Sequence, residues 1–474
     1  MTAGRVIELV VWFLMVYFGI LASVYTVMAA VGWRTVGSYV RRRPLRDYRG
    51  VGESPLSMPV SILAPAYNEA PTIVGSIRGL LRSQFVNFEI IVINDGSTDD
   101  TLEQLVAAFS LVPATRAPRA GLATAPVQRV WVSATEPRLT VLDKANGGKA
   151  DALNAGLCYA RYPLVCAIDA DTILDPGALP RLVWEFQSHP DTVATGGIVR
   201  IVNGSRVEAG RVVEVRTSTS LIANIQILEY LRAFLAARVG WSRLQMVLII
   251  SGAFGLFRRQ AVIDAGGYDT TTVGEDAELV LRLHRHHREQ GRPCRITFFP
   301  DPICWTEAPS DLRSLVRQRD RWQRGLIEML GRHRSMIANP RYGRLGMLAV
   351  PYYVFFEMLG PIVETVGLVA VVTALVFGLA SPTVLLVTIG LSITYSFVLS
   401  YTAILLEERL YRRAPEWRCL VRLMVAALAE NIGYRQLMTV VRARAWWTIR
   451  RASTWGEMRR IGFEVPVRSG DVAA

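Results

Sequence analysis

The sequence predicts an open α/β sheet domain set among membrane helices, and three observations carry that prediction. Short apolar runs alternate with helical stretches between residues 58 and 340. Residues 6–32 form one long apolar run near the start. Apolar character returns at 346–379 and again at 382–406.

The N-terminal run holds one acid, Glu8, and otherwise almost nothing polar. It exceeds the roughly 20 residues that span a bilayer and the short apolar region of a secretory signal. Residues 1–33 are therefore expected to form a transmembrane helix. Arginines at 34, 41, 42, 43, 46 and 49 follow it, while only Arg5 precedes it. That asymmetry puts the N-terminus outside and everything after Arg34 in the cytoplasm, with 34–57 as a basic linker.

Within the soluble block, VSILAPAY, EIIVIND and LVCAIDAD read as strands of a parallel sheet buried on both faces. PTIVGSIRGLLRSQ, TLEQLVAAFS and GKADALNAGLCYARY read as the helices between them, and 111–128, rich in Ala, Pro and Arg, as a surface loop. Ligands of such sheets bind beyond the carboxyl ends of the strands. The catalytic domain is expected over 58–310, interfacial helices over 311–345 and two further spans over 346–406. The remainder, 407–474, reads as an interfacial amphipathic helix and a basic cytoplasmic tail. Its stretch 419–441 would lie in the interface, with Trp446 and Trp447 at headgroup level. Glu357 and Glu364 are costly in lipid and are expected to face a polar channel or the interface.

The formal net charge is +13 and 51% of residues are hydrophobic. Because the arginines cluster at membrane flanks, nucleic acid is excluded as the partner in favour of the lipid bilayer and a phosphorylated ligand. The five cysteines, Cys158, Cys166, Cys294, Cys304 and Cys419, show no metal-ligand spacing and fit a reducing compartment.

Seven segments carry candidate chemistry. PLVCAIDADTILD places Asp169 and Asp171 where a buried strand ends, which suits a hard divalent cation, Mg2+ or Mn2+, gripping a phosphate. An isolated DxD would more often be a solvated acidic turn, and Asp175, before Pro176, reads as a turn or cap. In LAPAYNEA and EIIVINDGSTDDT, Tyr67 and Glu69 could recognise a nucleobase and Asp95 the base or ribose. The same residues could simply cap helices and make turns. KANGGKADALNAG sets Lys149 beside glycines at a helix start, which suits a diphosphate, although no P-loop is present. VGEDAELVLRLH opens a helix with Glu275 and Asp276; a carboxylate there could be a general base or ordinary N-terminal acid. Upstream, Ser251 and Gly252 in LIISGAFGLFRR suit a close wall beside a sugar. Finally, RQRDRWQRG offers Gln318 and Arg321 to a diphosphate and Trp322 as a flat face for a sugar ring, or else is a basic interfacial helix.

In this order the motifs YNE, DG, GGK, DAD, SGA, ED and QxxRW resemble the processive family 2 glycosyltransferases of membranes. That family includes synthases of cellulose, hyaluronan, chitin oligosaccharide and poly-N-acetylglucosamine. The resemblance covers residues 58–330 by motif and the flanking helices by layout. It implies a GT-A fold acting on a UDP-sugar with Mg2+ or Mn2+, and a growing polysaccharide or glycolipid as acceptor. Accessory subunits are left unspecified. Carried over by motif, Tyr67, Glu69 and Asp95 would hold the uridine, and Lys149 and Asp169 the diphosphate side. Asp171 would ligate the metal, with Asp169 beside it. Asp276 would be the base, with Glu275 next to it. Gln318, Arg321 and Trp322 match the motif of processive extension, with Gln318 and Arg321 on the nucleotide-sugar and Trp322 near the acceptor, beside Ser251 and Gly252. GGKADALNAG with DADT and QRDRW is most similar to the N-acetylglucosamine polymerases and chitin-oligosaccharide synthases, which favours UDP-GlcNAc over UDP-glucose. The sequence departs from the common TED motif, having Gly274 where the family has threonine. Two competing readings are a non-processive transferase acting on a lipid carrier or glycolipid, and a non-catalytic membrane transport or scaffold protein with a degenerate transferase domain.

Overall fold

The computed structural model describes residues 3–208, 210–378, 382–411 and 417–449. The long apolar run forms a helix, α1 (Ala3–Arg42), whose span Trp12–Leu45 is long and apolar enough to cross a membrane.

Twelve strands follow: β1 (Val60–Ala66), β2 (Phe88–Asp95), β3 (Leu111–Ala114), β4 (Val127–Ser133), β5 (Leu139–Lys144), β6 (Leu164–Ile168), β7 (Ile173–Leu174), β8 (Thr192–Ile201), β9 (Arg206–Glu208), β10 (Arg211–Glu214), β11 (Phe254–Arg258) and β12 (Arg295–Thr306). Strands β9 and β10 make a separate hairpin. The rest form one mixed sheet in the order β3-β4-β5-β2-β1-β6-β11-β8-β12-β7. Its centre, β5-β2-β1-β6, is parallel, as is the long β8–β12 ladder. Strands β1, β2 and β6 are buried along their whole length, because helices cover both faces. Their apolar runs are therefore continuous rather than alternating.

The expected crossover helices form over α2 (Ile73–Leu81), α3 (Thr101–Phe109) and α4 (Lys149–Tyr159). The expected loop 111–128 is a loop only in its middle. Residues 111–114 pair antiparallel with β4 as the edge strand of the sheet. Pro113 disguises it, since proline is tolerated in a strand only where its missing N–H faces no partner.

Two helices then complete the platform, α5 (Glu275–Glu289) and α6 (Leu312–Arg332). Beyond them lie α7 (Gly360–Val376), α8 (Pro382–Tyr411), α9 (Trp417–Ala429) and α10 (Arg435–Thr448). The segment Gly390–Leu410 of α8 is a second helix able to cross a membrane by length and composition. Leu345–Met358 with α7, bent by 41°, would be a third if the pair is one span.

The stretch expected as one interfacial helix over 419–441 is instead broken. Ile432 and Gly433 leave helical geometry, Gly433 with a φ of +84°, and separate α9 from α10. Trp446 donates from Nε1 to the Met358 carbonyl inside the protein, whereas Trp447 is exposed. Glu357 and Glu364 are satisfied from α10. Arg442 meets Glu357 at 3.3 Å and Thr439 Oγ1 donates to Glu364 at 2.7 Å. A charged side chain in an apolar segment needs such partners.

Candidate active site

Parallel strands all point their carboxyl ends to one edge of the sheet, so the loops after β1, β2, β5 and β6 gather there. The first two clasp each other. Asn68 N donates to Ser97 Oγ at 3.0 Å, and Thr98 N returns a bond to Asn68 Oδ1 at 2.8 Å. Glu69 N donates to Thr101 Oγ1 at 2.9 Å, and Ala70 N to Asp99 Oδ2 at 3.2 Å. Tyr67 is half-buried directly beyond β1, and the buried Glu69 carboxylate accepts from Thr72 Oγ1 at 3.0 Å. These bonds make the turns and join the two loops, while neither following helix has a side-chain N-cap.

Asp95 ends β2 with no exposed surface, rather than opening onto the cleft. Its Oδ1 receives Lys144 Nζ at 2.5 Å and Gly147 N at 3.1 Å, and its Oδ2 receives Gly148 N at 2.7 Å. Lys144 is equally buried and also pairs with Asp151 at 2.7 Å. In this arrangement Asp95 shapes the glycine loop that leads into α4. Lys144, to which that reading gave no role, is the charge that makes a buried Asp95 tolerable.

Lys149, the first residue of α4, reaches across the cleft. Its Nζ lies 2.6 Å from Asp169 Oδ1, 3.2 Å from Glu275 Oε1 and 3.4 Å from the Gly252 carbonyl. Burial alone would lower its pKa, but Asp169, Glu275 and Asp276 outweigh that and hold the ammonium well above the ordinary lysine range. Asp171 is buried, and burial followed by the charge of Asp169 pushes its pKa up to about 7. Burial also raises Glu275, against the pull of Lys149. One ammonium therefore stands among four carboxylates, and the cluster retains negative charge for a further cation.

Gly252 is the hinge of this arrangement. A Cβ there would lie 3.0 Å from both Asp276 Oδ2 and Lys149 Nζ, so a larger residue would push these two side chains back from this wall. Ser251, beside it, turns the chain by accepting Phe254 N on its carbonyl at 3.1 Å.

The pair Glu275-Asp276 is positioned by α6. Gly274 and Gly325 touch backbone to backbone, and a Cβ on either would lie 3.0 Å from the other's Cα. One turn on, Glu328 accepts from Thr272 Oγ1 at 2.8 Å and Val273 N at 3.0 Å. The departure from TED thus has a steric reason in this fold, namely the helix crossing at Gly325. Sequence reasoning missed Gly325 and Glu328, whose only signal was a glycine and an acid at helical spacing after the QxxRW motif.

On α6 itself Gln318 is buried, and its Oε1 has no hydrogen-bond partner among the described residues. Arg321 is partly exposed. Trp322 is 42% exposed, with the Arg319 guanidinium 4.6 Å over its ring. The structure brings Lys149 into direct contact with Asp169, Glu275 and the Gly252 carbonyl, with Asp276 and Asp171 close enough to act on the cluster through their charge. Trp322 offers a flat, accessible face on the helix that carries Gly325.

Among the described residues no group of three or more His, Cys, Asp or Glu forms a metal cage. Two carboxylates, Asp169 and Asp171, still fit a hard cation that takes its other ligands from a diphosphate and water.

The family model described as glycosyl transferase family 2 matches residues 61–263. The model described as glycosyl transferase family group 2 matches residues 164–406, more than half of the 474-residue chain. The chain belongs to glycosyl transferase family group 2.

Among relatives in this family, the chain is 30% identical over 271 residues to the poly-β-1,6-N-acetyl-D-glucosamine synthase of Staphylococcus aureus (strain COL). The match covers 57% of this chain and 55% of that protein. It is 27% identical over 318 residues to the synthase of the same name from Staphylococcus epidermidis, covering 67% of this chain and 65% of the relative. The match thus spans between about half and two thirds of those relatives' length. In fold, the chain is similar to a mannosyltransferase from Pyrobaculum calidifontis solved with GDP-Man and Mn2+. The TM-score is 0.52 at 18% identity, over 88% of this chain and 99% of that one. The fold is that of the GT-A transferases.

Proposed function

We propose that the chain is an inverting, processive glycosyltransferase that moves N-acetylglucosamine from a UDP-sugar to a growing β-linked polysaccharide at the cytoplasmic face of the membrane. The observation that carries this reading is the convergence of Lys149, Asp169, Glu275 and Asp276 around Gly252 at the carboxyl edge of the sheet. Support for the donor comes from similarity to poly-β-1,6-N-acetyl-D-glucosamine synthases.

Tyr67 and Glu69, on the rim made by the clasped loops, face the uridine side. Asp276 removes the proton of the acceptor hydroxyl as that oxygen attacks the anomeric carbon, inverting its configuration and expelling UDP. Lys149 moves from the carboxylates to the departing diphosphate, with Arg321 and Gln318 on its other side; placed charges of this kind are the largest single term in many such reactions. Asp171 and Asp169 would hold Mg2+ or Mn2+, which supplies charge compensation for the diphosphate. A structural relative of like fold was solved with Mn2+. Trp322 stacks on the acceptor sugar, and Ser251 and Gly252 wall it in.

The test is to incubate membranes bearing the protein with a panel of radiolabelled UDP-sugars and Mg2+ or Mn2+, and to size the product. A long polymer from UDP-GlcNAc that disappears on chelation is expected. Incorporation of UDP-glucose alone would sink the donor assignment, and a single added sugar would sink processivity.

A further inference from the structure

Away from the acidic cluster, three arginines converge on a cleft of about 280 Å³. Arg243 ends the short helix Val239–Arg243, Arg288 lies in the last turn of α5, and Arg344 leads into the apolar run that begins at Leu345. Gln245, held at a φ of +57°, and Tyr342 complete the polar lining. Among the described residues no carboxylate lines the cleft.

None of the three arginines forms an ion pair among the described residues. Glu289, the acid of the neighbouring turn, is already held by Arg285 at 2.8 Å and by the Tyr342 hydroxyl at 2.9 Å. Arg288 is half-buried and donates to His284 Nδ1 at 2.8 Å. Since arginine cannot accept, His284 must carry its proton on Nε2, which faces the Val247 carbonyl at 2.9 Å. Burial pushes the His284 pKa down to about 3, so the ring is neutral and leaves the guanidinium uncompensated.

Placement adds a second argument. Just past Leu345, Met347 and Leu348 are 47% and 56% exposed, so the cleft stands where the first C-terminal apolar segment begins. Basic pockets at that level meet lipid phosphates, and guanidinium forks match phosphate oxygens two at a time.

We propose that Arg243, Arg288 and Arg344 form a phosphate-binding site, separate from the transfer site, which takes the headgroup phosphate of an anionic lipid or a free phosphate.

The test uses the full chain in uncharged detergent. Native mass spectrometry reads retained lipid after exposure to phosphatidylglycerol or phosphatidylcholine. Thermal unfolding is read with inorganic phosphate against chloride at equal ionic strength. The expected result is retention of phosphatidylglycerol that falls at least tenfold in R243Q/R288Q/R344Q, but not in the charge-matched control R78Q/R206Q/R211Q. If inorganic phosphate alone raises the Tm of the wild type and not of the triple variant, the site stands with free phosphate as its ligand. Lipid retention within twofold of wild type in the triple variant, together with a phosphate response it still shares, overturns the proposal. So does the absence of both signals in the wild type. Should the triple variant fail to fold, R243Q/R344Q changes only exposed side chains, and at least a threefold loss is expected of it.

Discussion

Replacing Gly325 with alanine tests whether the crossing of α5 and α6 sets the reaction geometry. The added Cβ would lie 3.0 Å from the Gly274 Cα, against an optimal carbon–carbon separation of about 3.5–4.0 Å. The atoms in conflict are backbone on both sides, so no rotamer change relieves them. The helices must part by about 0.5–1.0 Å, which is the difference between those distances. Gly274 directly precedes Glu275 and Asp276, while Gly325 follows Trp322 by three residues. The shift therefore separates Asp276, the proposed base, from Trp322, the proposed acceptor platform. A misplacement of about 1 Å costs on the order of 100-fold in rate, so G325A should lose about 10- to 100-fold in kcat, or about 1.4–2.7 kcal/mol. Overpacking should also cost about 1–3 kcal/mol of stability. UDP release gives kcat and KM, and calorimetry gives the UDP affinity, which is expected to stay within threefold. G274A should reproduce the defect, and the double variant should be worse than either. A folded G325A protein with kcat within twofold of wild type would refute the reasoning.

Three further predictions follow from the same geometry. Asp276→Asn should lower transfer by about 10²- to 10⁴-fold while leaving UDP binding intact; near-normal turnover would mean that the base lies elsewhere. Glu278 is buried, and although burial would raise its pKa, His333 and Arg282 hold it down at about 2, below the ordinary 4.5. Its contribution, at most about 3 kcal/mol, is present above pH 4.5 and lost as pH falls toward 2. Denaturation of E278Q should therefore show a deficit at pH 7 that closes on acidification, and a pH-independent gap would contradict the assignment. Arg232 grips the buried Glu430 at 2.7 and 2.8 Å, with Ser396 also on that carboxylate. Either Arg232→Met or Glu430→Gln alone should cost about 3–5 kcal/mol and the pair together less; additive losses in a double-mutant cycle would exclude the coupling.

The centre of the sheet was legible because β1, β2 and β6 are buried on both faces, and their apolar runs admit little else. Asp169 and Asp171 were legible for the related reason that they end such a strand, and Glu275 and Asp276 because they open an apolar-faced helix. What escaped detection depended on partners distant in sequence. Strand β3 carries a proline and is ordered by β4 alone. The break at Gly433 depends on where α10 packs, which the apolar pattern of 419–441 does not encode. Lys144 looks like any lysine at a strand end until Asp95 and Asp151 close around it. Gly325 looks like a helix weak point until Gly274 arrives from another segment. Asp95 was plain as a motif, but the partners that bury it, Lys144 Nζ and the Gly147 and Gly148 amides, come from another strand and loop.

Gln323 follows Trp322 and commits both ends of its amide elsewhere. Its Nε2 donates to the Glu357 and Met358 carbonyls at 3.2 and 3.1 Å, and its Oε1 receives Arg442 Nε at 2.9 Å. Asp320, on the same helix, receives the Thr448 hydroxyl at 3.0 Å. The helix bearing Trp322 is thereby stitched to segments from both ends of the C-terminal third. The catalytic half and the helical half are consequently poor candidates for exchange as modules. A chimera joined after Arg332 would inherit a tryptophan whose neighbour finds foreign carbonyls, so homologous grafts should succeed only when 345–358 and 435–448 travel together.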